Sequence, residues 1–381
     1  MTRELILTNA RIVTADAVFL GTLASRDGRI TDIAASRSSV GSALDCEGDY
    51  LLPGLVELHT DALERHVAPR PKVRWQTASA VLAHDAQMAS AGITTVYDAL
   101  ACGDVIDGSD RLANLEAMAN AVSVAQAQGR LRAEHRLHLR CEVSTPALLD
   151  LFNTLAVNPL VGLVSMMDHT PGQRQFACTE KHRTYYMGKY GLSATEMDEL
   201  AARQQRNSAR YSTQHRTVIA GICRERGLTL ASHDDAKPEH IAEAKLLGVA
   251  VAEFPTTLAA AEAAREAGMK VLMGAPNLIL GGSHSGNVSA RELADEGTLD
   301  MLSSDYVPVS LLGAAFLLHK GATELPLPQA IAMVAGAPAR VAGLTDRGVI
   351  ETGRRADLVR AHDAGEVPVV RMVWREGRRV A

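Results

Sequence analysis

A chain of 381 residues, 47% hydrophobic and 22% charged, carries enough apolar material for one large α/β domain with an appendage, which excludes a disordered or fibrous protein. Its formal net charge of -5 argues against general nucleic-acid binding, although a local cationic pocket still suits an anionic small molecule. Five dispersed cysteines, Cys46, Cys102, Cys141, Cys178 and Cys223, form no C-x-x-C pair, MTRELILTNA lacks a signal-peptide core and no apolar run is bilayer-length, so a reducing cytoplasm without a membrane partner is expected.

Taken in order, the chain opens with short β-prone runs, LILTNARIV and AVFLGTLASRDGRITDIAA, in which Asp27-Gly28 predicts a hairpin turn. Residues 51–64, LLPGLVELHTDALE, read as an apolar strand running into His59, Thr60 and Asp61; alternation sends His59 and Asp61 out on one face. Strand-like runs then recur at 93–100, 135–143, 160–169, 228–235, 249–255, 269–276 and 301–306, separated by alanine-rich or amphipathic helical stretches. With the opening strand these make eight strand-helix repeats, the pattern of a (β/α)8 TIM-type barrel whose catalytic groups sit at the strands' C-terminal ends. An open doubly wound sheet is the competing fold, but no G-x-G-x-x-G or Walker A loop follows a strand. The polar, arginine-rich stretch 194–225 predicts a long helix over the barrel mouth, and Leu358 to Arg360 and Val369 to Trp374 predict strands that share one small β-domain with the N-terminal runs.

Placed on that barrel, His59, Asp61, Glu142, His169, His233 and Asp305 all fall at strand ends. Each alone is as readily a cap or a loop anchor. Together, three imidazoles and three carboxylates at one rim suit two divalent cations such as Zn²⁺, Mn²⁺ or Fe²⁺, with Glu142 able to bridge them.

The blocks HTDALERH, PRPKVRW, AEHRLHLRCE, SMMDHTPGQRQF, ASHDDA, AEFPTT, MGAPNLILGGSHSGN and SSDY carry a resemblance to the amidohydrolase superfamily, and within it to the diphosphatases of phosphonate catabolism. The chain shows His59-Thr60-Asp61 where most amidohydrolases show H-x-H, and no lysine stands at a strand end to be carboxylated. The resemblance implies a metal-binding barrel over 51–345 and a small β-sandwich domain built from 1–50 and 346–381. It also implies a phosphorylated sugar substrate, a ribose 1-methylphosphonate 5-triphosphate cleaved to the 5-phosphate and pyrophosphate. A metal-held hydroxide is then the nucleophile, Asp305 its proton acceptor, and His233 or His284 a proton donor. Arg65, His66, Arg70, Lys72 and Arg74 after the first strand, Arg174 in TPGQRQF, and Ser283, His284 and Asn287 in GGSHSGN are candidate phosphate contacts; Tyr185 and Tyr186 are candidates for the ribose. The alternatives are an amide or lactam hydrolase using the same hydroxide, and a non-catalytic scaffold. Single-barrel enzymes often pair, so a homo-oligomer is compatible with the chain, though no interface signal marks one.

Overall fold

The computed structural model describes residues 4–70, 72–104, 110–174, 183, 186–188, 191–283, 286–321 and 325–381. Alternating apolar side chains build β1 (Glu4–Val13), β2 (Val18–Arg26) and β3 (Arg29–Ala34), followed by the short β4 (Leu44–Asp45) and by β5 (Tyr50–Pro53). Asp27 and Gly28, with φ of 50° and 83°, supply the left-handed pair that a two-residue hairpin between β2 and β3 requires.

The run expected as one strand is two. Chain direction changes at Gly54, where a Cβ would lie 2.2 Å from Thr94 Oγ1, so only glycine lets the backbone pass from one sheet to the next. Beyond it β6 (Leu55–Thr60) opens a parallel sheet with β7 (Ile93–Cys102), β8 (Glu134–Glu142), β9 (Val161–Met167), β10 (Thr229–His233), β11 (Val251–Glu253), β12 (Lys270–Gly274) and β13 (Met301–Ser303). These are the eight strands anticipated from the sequence. The chain then returns to the first sheet through β14 (Leu358–Asp363), β15 (Pro368–Arg375) and β16 (Arg378–Arg379), giving the order β16-β15-β14-β5-β1-β2-β3 with β4 on β1. Both chain ends therefore share one small sheet.

The barrel bore is filled rather than open. Val56, Leu58, Tyr97, Leu163, Ala231, Val251, Leu272 and Met301 form one buried apolar cluster inside it, and the outer faces of the strands pack in a separate, larger core against the helices. β13 meets β6 at the rim through a Thr60–Asp305 bridge, while lower down Val334 and Met333 carbonyls accept from the Val56 and Leu302 amides. A packed bore leaves the C-terminal rim as the place for chemistry.

The long helix, Ala194–Arg226, starts at a Ser193/Glu196 capping box and ends at Gly227 in the left-handed conformation. Its later half is the ordinary helix between β9 and β10, with Ile219, Ala220 and Cys223 in the main core. Its first half instead packs Met197 and Leu200 against Tyr186 in a cluster of their own. Tyr186 is thus a packing residue, and Tyr185 lies outside the described residues. No described helix is long and apolar enough to cross a membrane.

Candidate metal centre

The barrel seam places three of the expected residues at once. Asp305 donates its backbone N–H to the His59 carbonyl (3.1 Å), and its own carbonyl accepts from Thr60 Oγ1 (2.7 Å) and the Asp61 N–H (3.2 Å). Below this, buried Glu57 accepts from the backbone N–H groups of His59 (2.7 Å) and Ser304 (2.6 Å), tying the first strand to the last. Burial pushes the Glu57 carboxyl up to about 7 against those hydrogen bonds.

Two carboxylates fix the imidazoles. Glu253 Oε1 lies 2.7 Å from His59 Nδ1 and Oε2 lies 2.6 Å from His233 Nδ1, and the two rings stack with centroids 5.8 Å apart. Glu142 does the same for His169, with Oε2 2.5 Å from Nδ1 and Oε1 3.1 Å from the backbone N–H; Ser144 Oγ donates to Oε1 at 3.0 Å. An ionised carboxylate can only accept, so each Nδ1 carries the proton and, in the neutral ring, each Nε2 is the nitrogen that carries the lone pair. Burial alone would raise Glu253, but His59, His138 and its hydrogen bonds hold it well below the usual carboxylate range.

The Nε2 atoms of His233 and His169 converge on a further carboxylate. His233 and His169 Nε2 lie 3.5 and 3.8 Å from Asp234 Oδ2, a set close enough to hold a cation. Asp61 and Asp305 face each other next to His59, and burial together with Asp61 raises the Asp305 carboxyl against the pull of His59. Asp234, Phe254 and Asp305, at the ends of β10, β11 and β13, all adopt positive φ (57°, 54° and 51°). Backbone strain at three strand ends around one rim marks a functional constraint. The donor set fits a divalent metal: imidazole lone pairs with oriented second nitrogens, beside carboxylates short of cationic partners.

A cation is already present in protein form. Arg140, on the same face of β8 as Glu142, puts Nη1 3.9 Å from Asp61 Oδ2 and keeps a buried Nε with no partner among the described residues. His138, two residues earlier, is the floor beneath: Nδ1 meets the Leu58 carbonyl (3.0 Å) and Nε2 meets Ser165 Oγ (2.9 Å), and burial takes the ring down to about 3. Both nitrogens being engaged, His138 is no ligand. A second cluster, His84, Asp98 and His135, lies between the barrel wall and the helix Thr77–Ser90; both Asp98 oxygens are taken by the imidazoles at 2.7 Å, so it pins the helix rather than opening a site.

The expected phosphate contacts divide. Arg65 stacks over the Tyr306 ring at 5.2 Å and donates to its carbonyl, beside Asp305. Arg70 and Lys72 are exposed in the following loop, and Ser283 and Asn287 are half-buried, while His284 lies outside the described residues. Arg174 is buried against Asp235 and Glu243, and its guanidinium is committed to those carboxylates. Sequence reasoning missed Asp234, Glu253, Arg140 and Glu57. The doublet His233-Asp234 and the alternation His138, Arg140, Glu142 were the available signals; a glutamate in AEFP gave none.

A parallel barrel with oriented imidazoles and carboxylates at its C-terminal rim defines a metal-dependent barrel hydrolase. The sequence model described as Amidohydrolase family matches residues 76–381. The chain belongs to the amidohydrolase family. It is 52% identical over 377 residues, 99% of this chain and 100% of the relative, to the alpha-D-ribose 1-methylphosphonate 5-triphosphate diphosphatase of Escherichia coli (strain K12). It is also 34% identical to the D-hydantoinase of Rhizobium radiobacter, over 25% of this chain and 20% of that one. In fold it resembles N-acetylglucosamine-6-phosphate deacetylase from Pasteurella multocida, with TM-score 0.63, 11% identity and 99% of each chain covered. Dihydropyrimidinase from Brevibacillus agri NCHU1002 gives TM-score 0.58 and 12% identity over 99% of this chain and 95% of that one.

Proposed function

We propose that this chain is a diphosphatase that hydrolyses a ribose 1-methylphosphonate 5-triphosphate to the 5-phosphate and pyrophosphate in the cytoplasm. The observation that carries the reading is the rim itself: imidazole Nε2 atoms held outward by Glu253 and Glu142, the carboxylates of Asp61, Asp234 and Asp305, and a half-buried guanidinium in the same space. Full-length identity with the Escherichia coli diphosphatase supports the substrate.

His59, Asp61, His169, His233, Asp234 and Asp305, with Glu142 close by, would hold two divalent cations, Zn²⁺, Mn²⁺ or Fe²⁺. When bound, such cations lower the pKa of water and neutralise phosphate oxygens. Asp305 takes the proton of attacking water in this reading, which the upward pull on its carboxyl from burial and Asp61 supports. Arg140, with an unused Nε, and Arg65, beside Asp305, orient the phosphates. Water oxygen bonds to the α phosphorus, the α–β bridging oxygen leaves with pyrophosphate, and the proton passes to Asp305.

The test is product analysis. Metal-loaded protein incubated with the ribose triphosphate should release pyrophosphate by ³¹P NMR and leave hydantoin and dihydrouracil intact; ring opening without any phosphate product would assign the amide-hydrolase reading instead.

A further inference from the structure

We infer that Glu253 is a positioning residue that couples two cation subsites, one oxygen setting the tautomer of His59 and the other that of His233. The inference rests on the metal-centre reading above and names the group that organises it.

Glu253 ends β11, where it pairs in register with His233 of the neighbouring β10. His59 reaches it from β6, on the far side of β12 and β13 around the barrel. One side chain thus spans the bore to touch imidazoles from two separated strands. It is wholly buried, and its two oxygens make one short contact each. Phe254 packs edge-to-face with both rings, its centroid 5.0 Å from that of His59 and 5.3 Å from that of His233, which restrains both imidazoles from turning away. The rings are therefore fixed in angle by packing, and the carboxylate decides only which nitrogen carries the proton. With two acceptors it protonates both Nδ1 atoms and leaves both Nε2 lone pairs for cations.

That geometry makes Glu253→Gln a sharper variant than a deletion. The amide keeps the size but offers one acceptor and one donor. The imidazole facing the NH₂ must accept through Nδ1, which moves its proton to Nε2 and removes it as a ligand, while the other imidazole is unchanged. A residue that merely filled space would not distinguish the two rings.

Titration of metal-free protein with Zn²⁺ against a chromophoric chelator reads this directly. The wild type should take up two cations, Glu253→Gln should keep one and bind the other roughly 10- to 100-fold more weakly, and Glu253→Ala should weaken both. Retention of both cations at wild-type affinity by a folded Glu253→Gln protein would overturn the coupling. ¹⁵N NMR of the imidazoles in the metal-free wild type needs no variant: Nδ1–H in both His59 and His233 is expected, and an Nε2–H tautomer in either would overturn it. His59→Ala and His233→Ala separate this from the metal reading, since full cation uptake by both would refute the ligand assignment whatever Glu253 does.

Discussion

Replacing Arg140 by methionine should move cation binding and turnover in opposite directions. The guanidinium lies 3.9 Å from the Asp61 carboxylate. At an effective dielectric of about 20, two unit charges at that spacing interact by roughly 4 kcal/mol, enough for Arg140 to compete with a metal ion for Asp61. Removing it frees Asp61 and lifts a like charge from the rim, so Zn²⁺ affinity in the chelator titration should rise by about tenfold or more. Substrate loses a charge-assisted contact worth about 2–3 kcal/mol, so kcat/KM for the triphosphate should fall by roughly 30- to 150-fold in the metal-saturated enzyme. Methionine keeps the apolar stem packed against the strand, which separates loss of charge from loss of fold. A parallel fall in both quantities would mean that Arg140 only supports the strand, and an unchanged kcat/KM would remove it from the phosphate site.

His59→Ala or Asp61→Ala should lower metal stoichiometry and abolish turnover while circular dichroism stays unchanged; full metal content in both would refute their assignment. Arg174→Ala should destabilise the fold by about 3–5 kcal/mol in urea unfolding, because it leaves the buried Asp235 charge with a Ser232 hydrogen bond but no cation, with metal uptake intact in the folded protein. A fall in kcat/KM without loss of stability would return Arg174 to the substrate. In the helix-pinning cluster, burial pulls His135 down but Asp98 and Asp85 more than offset it, leaving the group at about 9. A histidine raised in the folded state stabilises fully below about 6.5, and that contribution, about 3 kcal/mol here, is lost as pH rises through about 9. Asp98→Asn should therefore cost most at pH 6 and much less at pH 10, and a cost independent of pH would contradict the ion pairing.

The barrel was legible because its eight strands are apolar runs with polar ends, and a polar residue after Val-Ser-Met-Met-Asp or Leu-Ala-Ser is visible as a rim residue. The split at Gly54 was not, since two strands in line read as one until Thr94 is known to occupy the space beside the glycine. Glu253 was hidden because its partners come from β6 and β10, and nothing in Ala-Glu-Phe-Pro tells which imidazoles it will face. Arg174 shows the converse: a guanidinium beside a rim histidine reads as a phosphate ligand, whereas Asp235 and Glu243, distant in sequence, claim it. Side chains with long reach are decided by tertiary neighbours, and those the local pattern does not contain.

The most direct test of the proposed reaction is hydrolysis of the ribose triphosphate in H₂¹⁸O, with each product weighed by mass spectrometry. Attack at the α phosphorus, in line with diphosphate departure, puts one ¹⁸O into ribose 1-methylphosphonate 5-phosphate and leaves the pyrophosphate unlabelled. Label in the pyrophosphate would mean attack at the β phosphorus, and orthophosphate as the sole phosphate released would mean cleavage at the γ position; either result contradicts the account.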